Sequence, residues 1–183
     1  TYLPVLLVIP LAGSRLAALI FGGIQLLAGL IGLWLTNRQR AGLAAGLSLL
    51  LVPVAIFWAG GNIKSYPGQL FETESAYNYI QVVESDGCNY LLLNEGQAYH
   101  SFYCEDGQVP RISVWSIMLA APYFRQPTGE PVTIQRMAVV GLAAGTIPKQ
   151  FTQVYGPVPI DGIELDGAIV QAGRDYFALT DPN

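Results

Sequence analysis

What the chain has little of is charge, and the shortage lies at one end. Charged residues make up 12% of its 183 positions, against about 25% in an ordinary soluble protein. Residues 1–60 hold Arg15, Arg38 and Arg40 and no acid, while residues 16–34 and 41–60 carry no charge at all. That composition excludes a solvated surface for the first third of the chain. Histidine occurs once, as His100, and cysteine twice, as Cys88 and Cys104. Neither the lone imidazole nor the cysteine spacing matches a metal motif. The cysteines read as two ordinary thiols on neighbouring strands, since a disulfide requires an oxidising compartment. The formal net charge of -4 belongs to the later part of the chain, where the acids lie. There is no basic patch to take a nucleic acid.

What the first third does contain is two apolar runs of membrane length. Residues 16–36 and 41–60 each approach the ~20 residues that cross a bilayer core. Backbone groups in lipid must bond within their own segment, so both are expected to be helices. Asn37-Arg38-Gln39-Arg40 is a polar turn between them, which makes an antiparallel hairpin in a lipid bilayer. Gly22, Gly23, Gly29, Gly32, Gly42 and Gly46 are expected to supply small faces for close helix contact. Gly42 and Gly46 form a G-x-x-x-G spacing, which leaves homo-oligomerisation open. Pro53 is expected to kink the second span. Neither span carries Asp, Glu, Lys or His, the residues that ion and proton pathways need. The apolar residues 2–13 are too short to span. They read as the end of an earlier span, or else as a short interfacial segment, in a piece of a longer protein.

After residue 61 the pattern changes. Residues 62–71 carry Gly, Pro and Ser and read as a linker. Residues 77–84 are rich in aromatic and β-branched types, Asp86-Gly87 is a hairpin-turn signal, and residues 89–94 are the returning strand. Residues 98–103 are a candidate third strand. Residues 72–112 are therefore expected to form a small antiparallel sheet. From residue 113 the order is short helix, apolar strand (137–140), Gly turn, helix (147–155), strand (160–165), helix (168–177). That order opens a parallel α/β sheet, so residues 113–183 read as an incomplete Rossmann-like nucleoside-binding domain.

The chemistry is carried by the Gly turn. Gly141 and Gly145 bracket the passage from strand to helix, where a backbone without Cβ can approach a ligand. Glu164 ends the next strand, about 20 residues on, where an acid can accept both hydroxyls of a ribose. A plain α/β turn with a surface acid would show the same residues.

Four stretches of the later part resemble the spermidine synthase family, in its membrane-fused bacterial form. They are Glu74-Ser75-Ala76-Tyr77-Asn78-Tyr79-Ile80, residues 91–101 (Leu-Leu-Leu-Asn-Glu-Gly-Gln-Ala-Tyr-His-Ser), the Gly141 turn, and Ile163-Glu164-Leu165-Asp166. The resemblance covers residues 72–183. It implies aminopropyl transfer from decarboxylated S-adenosylmethionine, as co-substrate, to a diamine. Gly141 and Gly145 would shape the nucleoside pocket and Glu164 would hold the ribose. Gln97 would contact the nucleoside or the transferred chain; a solvated loop glutamine is the alternative. The resemblance places the catalytic acid further along the family chain, beyond Asn183. There are departures. Ala144 stands where the family's Gly-Gly-Gly-Asp-Gly turn has aspartate, and Trp115 where it has an amine-pocket tyrosine.

Two readings follow. One is a membrane-anchored aminopropyltransferase-like enzyme. The other is a membrane or transporter-like protein whose domain binds a nucleoside or polyamine without catalysis, which Ala144 and Trp115 favour. An S-adenosylmethionine methyltransferase fits the turn but not the preceding sheet. Sidedness is contested: Arg38 and Arg40 favour a cytoplasmic turn, with Arg15 and Lys64 nearly balancing them. The implied donor is a cytoplasmic metabolite, so the later part is expected in the cytoplasm, at a bacterial inner membrane, with both cysteines reduced.

Overall fold

The computed structural model describes residues 2, 4–94, 98–107, 113–125 and 133–180. They fall into two units, Thr1–Ser65 and Tyr66–Asn183.

The first unit is helical. A π-helical turn over Pro4–Val8 runs into α1, Ile9–Thr36, which is interrupted at Gly13 by left-handed backbone (φ 78°). Beyond that break, Gly13–Thr36 is 24 residues with a mean hydropathy of 2.2, long and apolar enough to cross a membrane. At 1.5 Å per residue it reaches about 36 Å, more than the ~30 Å of hydrocarbon. Asn37 leaves the helical conformation, and its side chain accepts the Arg40 N–H at 3.1 Å, capping α2, Arg38–Leu49. The Arg38 guanidinium lies over the Trp34 ring, 5.0 Å from its centroid.

The second apolar run is not one helix. It divides into α2 and α3, Leu51–Gly60, at Leu50. The cause is Pro53, which has no N–H for the Leu49 carbonyl four residues back and whose ring crowds it. The Leu50 N–H turns instead to the Leu47 carbonyl at 3.1 Å, a tighter turn. Only Gly13–Thr36, among the described helices, meets the length and hydropathy of a span. The hairpin still closes on itself. The Arg15 guanidinium donates to the backbone carbonyls of Trp58, Gly61 and Asn62 and stacks on the Trp58 ring. A cation thus sits on the orphan carbonyls at the C-terminal end of α3, where the helix dipole favours it.

The glycines do not make the helix contacts expected of them. A Cβ on Gly22, Gly23, Gly29, Gly32, Gly42 or Gly46 would meet nothing within 4 Å. Among the described residues of this unit, Ala17 and Ala41 are the buried ones.

The second unit opens with a four-stranded antiparallel sheet in sequence order: β1 Gln69–Glu74, β2 Tyr79–Ser85, β3 Cys88–Leu93 and β4 Tyr99–Cys104. β1 begins inside the stretch read as a linker. Asp86 and Gly87 both have positive φ, 53° and 75°, the conformation a two-residue hairpin turn needs. They fix Ser85 opposite Cys88. The register of β3 on β4 then places Cys88 opposite Cys104 with Cα atoms 4.2 Å apart, and the two form a disulfide. This corrects the reading of two free thiols. The strands were correctly placed, but which residues face each other depends on a register the spacing does not disclose.

A short helix α4, Val114–Met118, capped by Ser113, and a 3₁₀ turn, Ala121–Arg125, follow the sheet. Then β5 Met137–Val140, α5 Thr146–Tyr155, β6 Ile160–Ile163 and α6 Gly167–Tyr176 form a strand–helix–strand–helix run with β5 and β6 parallel. One core joins the first sheet to the Gly turn and α6: Ile80, Val82 and Leu91 pack with Ala144, Ile169, Ala172 and Phe177. Asn89 of β3 donates to the Tyr176 carbonyl at 2.7 Å, fastening the C-terminal end of α6. Val140, Ile163 and Leu165 stay largely exposed (82%, 54% and 72%), so the two-stranded sheet keeps an uncovered apolar surface.

Candidate functional site

The site is built where β5 turns into α5. The Gly141 and Leu142 N–H groups both donate to the Ile163 carbonyl, at 2.9 and 3.0 Å, so the turn crosses the end of β6. Gly141 and Gly145 have φ of 80° and 89°, a region that suits glycine. They differ in surroundings. A Cβ on Gly141 would meet open space, whereas one on Gly145 would lie 2.6 Å from Leu179 Cδ1.

Glu164 stands at the mouth of this turn. Its Oε2 accepts the Ala143 N–H at 2.9 Å, while Oε1 accepts the N–H groups of Leu165 and Asp166 at 2.9 and 3.2 Å. A carboxylate has about four acceptor positions, so three are filled by backbone. Among the described residues, one position on Oε2 has no donor.

Asp166, two residues on, belongs to the last family-like stretch but was given no role in the sequence, and it organises the site. It is 2% exposed. Its Oδ2 accepts the Ser75 hydroxyl at 2.5 Å and the Asn78 amide at 3.0 Å, and its Oδ1 caps α6 through the Ala168 N–H at 3.1 Å. Asn78 in turn accepts from the Asn94 amide at 3.0 Å. On the other side of the turn, the Ala144 N–H donates to Ser101 Oγ at 3.0 Å, and the Thr146 hydroxyl exchanges hydrogen bonds with both backbone groups of Phe102. An Asp directly before a helical pattern is a legible N-cap signal. Its reach to residues 88 and 91 positions upstream is not.

The four sequence stretches singled out above are therefore joined by hydrogen bonds: Ser75 and Asn78 from the first, Asn94 and Ser101 from the second, Ala143 and Ala144 from the turn, Glu164 and Asp166 from the last. Gly141, Gly145 and Glu164 come together at one place. Gln97 lies outside the described residues. Ala144 is 1% exposed, and its Cα faces Gly173 of α6, so no side chain at this position points to a ligand. Trp115 is half-buried with its ring 5.0 Å from that of Phe102, a packing contact.

Two cavities lie elsewhere in this unit. A cleft of about 950 Å³ runs along β5, lined by Met118, Met137, Val139, Ile147 and Phe151; neither Glu164 nor the Gly141–Gly145 turn lines it. A smaller one, about 250 Å³, lies between β4 and α5. On it Lys149 Nζ sits 4.2 Å from the centroid of the Tyr103 ring. Burial pushes the Lys149 ammonium down to about 8, because a charged group out of water is disfavoured.

Comparison with known proteins finds a distant relative of the chain. Over 107 residues, 58% of this chain, the sequence is 27% identical to a protein of Bifidobacterium longum (strain NCC 2705) named "Probable polyamine aminopropyl transferase". The chain matches 22% of that protein's length. No family model matches the chain. No solved structure matches it. The similarity is distant and spans about a fifth of that protein's length.

Proposed function

We propose that this chain is the membrane-anchored, nucleoside-binding part of a spermidine-synthase-like aminopropyltransferase, with decarboxylated S-adenosylmethionine as co-substrate and a diamine as acceptor. The observation that carries the reading is the joining of the four family-like stretches around the Gly141 turn, in a chain distantly similar to a polyamine aminopropyl transferase. In this reading β5–α5–β6–α6 opens a Rossmann-like sheet, and α1 with the α2–α3 segment anchors it in the inner membrane.

In the reaction, an amine nitrogen of the diamine attacks the carbon next to the sulfonium. The carbon–sulfur bond breaks, its electron pair stays on sulfur, and 5′-methylthioadenosine leaves. The new secondary amine loses one proton to a base. What these residues contribute is placement, which converts an encounter into a near-unimolecular step. Gly141 and Gly145 let the turn approach the nucleoside, and Glu164 takes a ribose hydroxyl on the open Oε2 position. Gln97 would contact the nucleoside or the transferred chain. The base is not assigned to any residue of this chain.

A second reading rests on two observations. Ala144 is buried where the family turn carries aspartate, and Cys88 and Cys104 form a disulfide, a bond of oxidising compartments. Both favour a binding domain without transfer, on the side of the membrane away from the cytoplasmic donor. Incubation of the purified protein with donor and putrescine decides between the two. Release of 5′-methylthioadenosine that depends on the diamine supports transfer. Its absence, with nucleoside binding retained, leaves the second reading. The anchor is tested by carbonate extraction of membranes: the chain stays with the lipid if α1 spans it, and recovery in the supernatant removes the anchor.

A further inference from the structure

We propose that the groove between α1 and α2 is a binding site for an anionic phospholipid, with its phosphate on Arg38 and an acyl chain along the groove. The inference rests on the membrane reading of this unit. The groove holds about 440 Å³. Leu27, Ile31 and Trp34 of α1 line one side, and Arg38, Gly42 and Ala45 of α2 line the other. Each set follows an i, i+4, i+7 spacing and so forms one face of its helix. Facing helix surfaces of this kind ordinarily interdigitate into a closed seam. Here α2 brings nothing larger than a methyl at positions 42 and 45, and a Cβ on Gly42 would meet nothing within 4 Å. Leu27 and Ile31 stay 61% and 60% exposed. In a bilayer such walls meet acyl chains, which are as apolar as leucine.

The polar chemistry lies at one end of the groove. Trp34 and Arg38 flank the end of α1 at Thr36, the level at which tryptophan and arginine anchor a span to the headgroups. The Trp34 ring, 5.0 Å from the Arg38 guanidinium, holds the cation at the mouth of the groove. The C-terminal end of α1 and the N-terminal end of α2 adjoin there, and their dipole ends, opposite in sign, offset each other. What remains is the full charge of the arginines, and residues 1–60 hold no acid to meet it. Arg15, in contrast, is spent on three backbone carbonyls. A guanidinium offers paired N–H donors in a fork that fits a phosphate.

The same charges select the headgroup. A zwitterionic head brings an ammonium beside its phosphate, and the first 60 residues supply no carboxylate to take it. A net-negative head brings none. A free phosphate ion would use Arg38 alone and leave the apolar walls uncovered. Arg40 carries the same charge two positions on, about 200° further around α2, so it does not share the Arg38 face and serves as a control for charge without the groove.

The test is quenching of Trp34 fluorescence in the full chain, reconstituted in vesicles. Changing Trp58 and Trp115 to phenylalanine leaves Trp34 as the one indole of the three. The vesicles are equal parts phosphatidylglycerol and phosphatidylcholine, with bromine on the acyl chains of one or the other. Brominated phosphatidylglycerol should quench as though favoured about five-fold, the contribution of one basic residue at an anionic surface. Arg38→Gln should bring the two lipids close to parity, and Arg40→Gln should keep most of the preference. Gly42→Leu, which fills the groove and leaves the charge unchanged, should weaken it. Quenching by brominated phosphatidylcholine reports that each variant is still inserted. Equal quenching by the two lipids before any further substitution overturns the proposal and leaves the anchor standing. No quenching by either overturns both together. Equal losses from Arg38→Gln and Arg40→Gln overturn the site by showing a diffuse charge effect, and an unchanged preference in Gly42→Leu overturns the groove. Loss of the preference on adding inorganic phosphate at constant ionic strength overturns the lipid as the ligand.

Discussion

The Glu164 carboxylate accepts the Ala143 amide at 2.9 Å, and this bond ties the end of β6 to the turn that leaves β5. Ala143 itself has φ of 50°, unusual for a residue with a Cβ. The acid therefore braces a strained turn. In the proposed reading, a ribose hydroxyl adds to the existing set of hydrogen bonds before it has to displace any part of it.

Asp166 holds the β1–β2 turn to α6, and its loss should be the costliest single change at the site. Asp166→Ala removes the N-cap of α6 and leaves the Ser75 and Asn78 donors without their acceptor. Adding a cap to two hydrogen bonds on a charged group gives a loss of about 4 kcal/mol or more. Asp166→Asn keeps an acceptor for the cap and should cost roughly half as much. Urea midpoints in detergent measure both; equal and small losses would mean that the bridge carries no stability.

The two glycines of the turn should respond differently. Gly141→Ala meets open space and suffers only from its positive φ, a cost of about 1 kcal/mol. Gly145→Ala adds a contact with Leu179 Cδ1 to the same backbone strain, and should cost about 2–3 kcal/mol or more. Combining Gly145→Ala with Leu179→Ala separates the causes. A double variant more stable than the sum of the two singles would locate the cost in the side-chain contact, and one that equals the sum would show that the contact is not the source.

Lys149 gives the second unit a distinct pH dependence. Burial lowers its pKa to about 8 in the folded chain, from the ordinary lysine value of 10.5 that holds when unfolded. Between these limits the unfolded chain binds more protons, so stability rises with pH and is fully gained only above the unfolded value. As pH falls through about 8, that contribution is lost. Lys149→Met should therefore raise the unfolding midpoint at neutral pH and flatten its rise between pH 8 and 10.5. A variant curve parallel to the wild type across that window would mean that another group produces the slope.

The disulfide should be present in the protein taken directly from cells. Alkylation of denatured, unreduced protein should modify neither Cys88 nor Cys104, and both should react after reduction. Replacing the pair by alanine releases a cross-link across 16 positions and should cost about 3 kcal/mol. Two free thiols before reduction would instead place this unit in a reducing compartment.

The local signals were the legible ones. Asp86-Gly87 announced the β2–β3 hairpin, and the alternation of short apolar runs with Gly turns announced β5, α5, β6 and α6. The meeting of Gly141, Gly145 and Glu164 could be read from spacing alone. β1 could not: in Gln69–Glu74 the two apolar residues, Leu70 and Phe71, are adjacent and show no alternation, and its place on a sheet edge is conferred by pairing with β2. The disulfide needed the β3–β4 register. The Asp166–Ser75 bond needed two segments 91 residues apart to fold against each other. The division of the second apolar run at Leu50 followed from Pro53, but whether a proline bends or breaks a helix depends on how the freed Leu49 carbonyl is met.

The central claim is that the Gly141 turn and Glu164 take a nucleoside, and calorimetric titration with 5′-methylthioadenosine tests it most directly. The wild type should bind. Glu164→Gln should bind about ten-fold or more weakly, since hydrogen bonds to a charged acceptor contribute roughly 1.5–3 kcal/mol each. Replacing Glu84, whose carboxylate accepts only the Gly87 amide of the distant hairpin turn at 2.9 Å, should leave the affinity unchanged. Equal binding by wild type and Glu164→Gln would contradict the ribose assignment, and no binding by the wild type would contradict the nucleoside site itself.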